Sequence, residues 1–87
     1  MQFEGAKIRE QGVNFGIVVV KAHVLTSRQE QFAARALGTK AFGLIPIVLM
    51  TQDGRGVPTF EGRPDIVKFL ANVDISRIPW QKYTLAA

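Results

Sequence analysis

Two stretches of the chain are apolar on both of their alternating faces. From Val13 to Val24, VNFGIVVVKAHV, Phe15, Ile17 and Val19 fall on one side and Val18, Val20 and Ala22 on the other. From Leu44 to Gln52, Ile45, Ile47 and Leu49 oppose Val48 and Met50. β-Branched residues suit a pleated surface, and a strand apolar on both faces is an interior strand covered from above and below. The pattern predicts central strands at 14–23 and 44–52, with Lys21 and His23 breaking the first only at its carboxyl end.

A helix near 27–42 is expected between them. Ser27 and Glu30 have the S-x-x-E spacing of a capping box, and Ala33, Ala34 and Ala36 favour helix intrinsically. Phe32, Ala36 and Leu37, with Ala33 beside them, give the expected buried stripe. Gly43 is the expected end, with loosening after Gly38. Strand, helix and strand form a βαβ unit, so the two strands should run parallel with a right-handed crossover.

Asp53-Gly54 signals a two-residue hairpin of type I′. Centred there, the turn pairs Met50 with Val57 and Val48 with Thr59. Pro58 lacks a backbone donor, which places the strand 55–61 at a sheet edge. Gly62-Arg63-Pro64-Asp65 then opens a second helix near 64–73, with proline in the first turn and aspartate complementing the helix dipole. Ile66, Phe69, Leu70 and Val73 follow at i, i+3, i+4 and i+7. Weaker alternation at Phe3–Arg9 predicts a short strand, and Gln11-Gly12 a turn after it. The tail DISRIPWQKYTLAA is too apolar to hang free; a short turn packing back on the body, ending in an added strand, is expected. The whole reads as one small α/β (or α+β) domain over 1–87, with a mixed sheet of three to five strands and two helices in a βαβ-β-α core.

Composition narrows the chemistry. A chain of 87 residues buries only roughly 60–65% of its extended surface. There is no cysteine and a single histidine, so disulfides, thiolate nucleophiles and structural zinc fall away, and no metal or cofactor is expected. The amino terminus carries Glu4 and Glu10 and no apolar run, unlike a signal peptide. The longest apolar runs, Ile17–Val20 and Leu44–Met50, are too short to cross a bilayer as helices. The default expectation is a cytoplasmic protein without a membrane partner. Net charge is +4, but no two of the eleven basic residues are adjacent, and dispersed charge of this kind mainly keeps a protein dissolved.

Four candidate sites follow. The glycines of 53–65 and the helix start beyond them could hold an anion, but Gly54-Arg55-Gly56 is only a fragment of a phosphate-loop motif, and Asp53 and Glu61 would repel one. Ligands in open α/β sheets tend to bind at the carboxyl ends of the parallel strands. His23, Asp53 and Ser27 are the candidate catalytic residues there, and Thr51, Gln52 and Arg28 the candidate ligand contacts; each also has a plain structural reading as cap, turn or strand end. Arg77, Trp80, Lys82 and Tyr83 interleave basic and aromatic residues as weak nucleic-acid binders do. Last, Val57, Phe60, Trp80 and Tyr83 are candidate interface residues for a second copy or another protein. One helix on each face would let a small monomer close, whereas two helices lying on one face would leave the other bare, and large bare patches mark interfaces. A non-catalytic interaction module, homodimeric, is the leading expectation; a small enzyme or ligand binder is the alternative.

One further stretch carries a resemblance. Ile45-Pro46 followed by IVLMTQDGRGVPTFEG and DIVKFLANV resembles the carboxyl-terminal half of the thioredoxin fold, with its Ile-Pro strand start, hairpin and final helix. The resemblance implies a cis proline bordering a binding groove, here Pro46. It covers about 30 residues, a short and common pattern. The chain has no C-x-x-C, so no dithiol chemistry goes with it, and only one helix precedes Ile45 where that fold supplies a further strand and helix.

Overall fold

A computed structural model describes residues 1–10 and 12–86. Five strands, β1 (Gln2–Glu10), β2 (Val13–Val19), β3 (Ile47–Gln52), β4 (Pro58–Glu61) and β5 (Gln81–Thr84), form one sheet in the order β4-β3-β2-β1-β5. Two helices accompany it, α1 (Arg28–Phe42) and α2 (Pro64–Leu70). The expected mixed sheet is present: β2 and β3 are parallel and joined through α1, β4 is antiparallel at one edge, and β5 is the added strand at the other. The β1–β2 turn runs through Gly12, while Gln11 lies outside the described residues.

The alternation of the central strands sorts side chains as their pattern requires. Phe15, Ile17, Val48 and Met50 face α2 and pack with Ile66, Leu70 and Ile78. Val18, Ile47 and Leu49 face α1 and pack with Ala34 and Phe42. Each helix therefore packs on its own face of the sheet, so among the described residues neither face is left bare.

The inward face of α1 differs from the expected one. Ala34, Gly38 and Phe42 turn to the sheet, while Phe32 is 78% exposed and Ala33 and Ala36 also face outward. The reason is Gly38, where a methyl group would lie 2.7 Å from Ile47 Cγ2 and 3.0 Å from Val18 Cγ2. Close approach of helix to sheet needs small residues on the inner face, so Phe32 is turned out. The helix does end at Gly43, and Ser27 caps its start by accepting from the Glu30 amide at 3.2 Å.

Four boundaries move inward, among them the start of the edge strand, which is Pro58 and not 55. The first central strand ends at Val19, not 23, because the Val20 amide makes a last bond to Met50 O at 2.8 Å and Ala22–Thr26 then coils into a 3-10 turn. The second begins at Ile47, not 44: Leu44 and Ile45 belong to the turn after α1, where the Ile45 amide donates to Gly43 O. Helix α2 ends at Leu70, and Val73 reaches the same core from the following turn.

The hairpin register is corrected too. Met50 pairs with Phe60 and Thr51 with Thr59. The loop holds three residues rather than two: the Asp53 amide donates to Val57 O, the Gly56 amide to Asp53 O, and the positive φ falls on Gly56, at 81°. This is a turn followed by a left-handed glycine. Asp53 favours it by accepting the Arg55 and Val57 amides on Oδ1, at 2.8 and 3.0 Å.

The strand, hairpin and helix that resemble the thioredoxin fold are present in that order, behind the antiparallel β1–β2 hairpin. Every described peptide bond is trans, that of Pro46 included, in place of the cis bond the resemblance implied. Pro46 sits at the amino end of β3, where its carbonyl accepts from the Gly16 amide.

Candidate functional site

At the carboxyl ends of β2 and β3, the polar side chains are mostly engaged with their own chain neighbours. His23 lies in the 3-10 turn with its side chain 61% exposed, and its Nε2 stands 3.4 Å from Glu30 Oε1. Thr26 Oγ1 donates to His23 O, and Gln31 Nε2 to Leu25 O. Ser27 Oγ is the helix cap. Together these form one local cluster that pins the 3-10 turn to the start of α1. Glu30 thus completes only half of a capping box: its amide is capped, while its carboxylate turns to His23.

Asp53 serves a separate loop through the two amide bonds described above. Among the described residues no hydrogen bond links it to His23 or Ser27. Gln52 Nε2 donates to Gly56 O at 3.0 Å, Thr51 stands opposite Thr59 in the sheet, and Arg28 is exposed at the first turn of α1. Among the described residues, no three His, Asp or Glu side chains gather in a way that could hold a metal ion, and no helix is long and apolar enough to cross a membrane.

Trp80 and Tyr83 separate to opposite faces. Trp80 packs on the α2 side and its indole N–H donates to Ile75 O at 2.8 Å. Tyr83 belongs to the α1 side, its ring stacked on Phe3 with centroids 5.4 Å apart and edge-on to Phe42 at 4.9 Å. The two rings therefore do not share one stacking platform for bases.

Val57 and Phe60 do come together. They line a groove of about 570 Å³ between β4 and α2, with Pro58, Val67, Val73 and Ile75, and Arg55 is its charged rim residue. That size lies within the usual range for ligand sites, and the lining is apolar as such sites are. Val57 is 55% exposed at its mouth. Val67 lies off the main stripe of the second helix, and Ile75 falls in the 3-10 turn after it, so the sequence pattern marks neither as a site residue. Their one signal was apolar character outside a stripe already sufficient to bury the helix. A smaller hollow of about 200 Å³ lies against Phe15 and Phe69, with Glu10 and Asp65 at its rim.

Asp65 and Arg63 form a bidentate pair at the start of α2, with N–O distances of 2.7 and 2.6 Å. The hydrogen bonds from the Arg63 guanidinium hold the Asp65 carboxyl down at about 2. Asp74 is also lowered, by its bonds from the Ser76 hydroxyl and amide.

Comparison with known protein families, with characterised proteins and with solved structures returns no match.

Proposed function

We propose that this protein is a non-catalytic interaction module that binds protein chains, a second copy of itself among them, in a cytoplasmic setting. The observation that carries the reading is the apolar groove between β4 and α2, where Val57 and Phe60 meet beside an edge strand. An exposed valine and an open apolar wall suit the side chains of another polypeptide. The engagement of Ser27, Asp53 and His23 in local caps and turns supports the same reading, since a catalytic constellation needs such groups aimed at one another. With both sheet faces occupied by the chain's own helices, self-association is left to the sheet edges and the groove. Light scattering over a wide concentration series tests it. The molar mass should climb from 9.6 kDa toward twice that value. A mass that stays at the monomer value throughout would remove self-association from the reading.

A further inference from the structure

The two edges of the sheet differ in what their backbones offer. Antiparallel pairs alternate between residues that exchange both backbone bonds and residues that turn those groups away. On β5 the phase is fixed by Met1 and Leu85: the Leu85 amide donates to Met1 O at 2.8 Å and the Met1 amine to Leu85 O at 3.2 Å. Counting by twos, Phe3–Tyr83 and Gly5–Gln81 are the bonded pairs of the β1–β5 ladder. The amides and carbonyls of Lys82 and Thr84 therefore point out of the sheet.

On β4 the phase is fixed by the Asp53 amide donating to Val57 O. Thr59 and Glu61 then bond to β3, and Pro58 and Phe60 turn outward. Proline has no amide to offer, so Phe60 is left as the one outward donor within β4. A proline at an outward position is a common guard against edge-to-edge pairing. β5 has no proline, and Lys82 is the one charged residue on that strand that a pairing partner has to accommodate.

We propose that self-association, on the reading given above, runs through β5, with two copies pairing this strand antiparallel about Tyr83 into one continuous sheet of five strands from each copy. In that register Lys82 stands opposite the partner's Thr84, and each such pair exchanges both N–H···O bonds. The shift that places Lys82 opposite the partner's Lys82 is disfavoured by like charge. Tyr83 meets the partner's Tyr83 in the non-bonded position, where facing side chains stand closest. Both lie on the α1 face, so the Phe3–Phe42–Tyr83 cluster of one copy continues into that of the other. On β1, Glu4 is the register partner of Lys82.

Light scattering on charge variants of one exposed residue tests the register. Thr84→Glu, opposite the partner's Lys82, should tighten the dimer several-fold, and Thr84→Lys should weaken it about tenfold, both effects fading in high salt. Thr84→Pro should abolish the dimer while leaving circular dichroism unchanged and melting equal to that of the dilute, monomeric parent, because that amide takes no part in the β1–β5 ladder. Equal affinities for the Glu and Lys variants would overturn the proposal while self-association stands. So would a dimer lost only with Val57→Asp, which would put the seam at the groove. A wild-type chain that stays monomeric overturns the underlying reading and this one with it.

Discussion

Gly38 on α1 and Ile47 on β3 lie so close that a methyl group on the glycine would stand 2.7 Å from Ile47 Cγ2. Ile47 is buried and β-branched, so it has little freedom to move aside. Alanine would gain about 1 kcal/mol in helix propensity at this position. Overpacking a core costs about 1–3 kcal/mol. The second effect wins, and Gly38→Ala should lower the urea midpoint at unchanged slope. A higher midpoint would mean that the helix stands farther from the sheet than described.

The hairpin glycines should separate in the same assay. Gly56, at φ 81°, holds the left-handed position of the loop, whereas Gly54 has open space around it and no positive φ. A left-handed conformation costs an ordinary residue roughly 1–2 kcal/mol. Gly56→Ala should be destabilising by about that much, and Gly54→Ala should change stability by less than about 0.5 kcal/mol. The reverse order would restore the two-residue turn centred on Asp53-Gly54.

These two glycines also show where the sequence stops being informative. The strands were legible because a segment apolar on both faces, such as Ile47–Met50, has few places to go except a sheet interior. The hairpin was legible as a hairpin, but Asp53-Gly54 and Asp53-x-x-Gly56 are both turn signals, and choosing between them depends on which loop lets Asp53 satisfy its neighbours' amides. The buried face of α1 was not legible, because the value of Gly38 lies in what stands opposite it. Strand β5 is short, and its alternation is set by aromatic contacts with Phe3 and Phe42 from distant parts of the chain. The same holds for the groove: Val57 and Phe60 could be picked as exposed apolar edge residues, while Val67 and Ile75 join them only once α2 is placed over the sheet.

The Arg63–Asp65 pair gives a pH-dependent readout. The folded carboxyl titrates at about 2, below its ordinary value of 3.8. A lowered carboxyl favours the folded state above the ordinary value and loses that contribution as pH falls through the folded one. The pair is exposed, so its share of stability is small and salt-screened, and the titration itself is the better measurement. Following the Asp65 side-chain carbon by NMR, Arg63→Ala should move the midpoint up toward 3.8. An unmoved midpoint would show that Asp65 is held by the start of α2 and not by the guanidinium.

Phe32 and Phe42 sit ten positions apart on one helix, and truncation should be costly at Phe42 and near neutral at Phe32. Phe42 is buried, its ring lies over Gly16, and it meets Phe3 and Tyr83 edge-on. Removing a buried phenyl ring costs about 3–5 kcal/mol, from lost transfer energy and the cavity left behind. A small domain of marginal stability could lose most of its folded population to Phe42→Ala. Phe32 is 78% exposed and fills no cavity, so Phe32→Ala should stay within about 0.5 kcal/mol of the parent. Thermal melts of the two variants decide the helix orientation directly. If Phe32→Ala were the costly change, α1 would have to be rotated to bury the Phe32–Ala36–Leu37 stripe, and Gly38 would lose its contact with Ile47. If both were costly, Phe32 would be covered in solution by something outside the single chain. A second copy lying on α1 instead of on β5 would then be the first arrangement to examine.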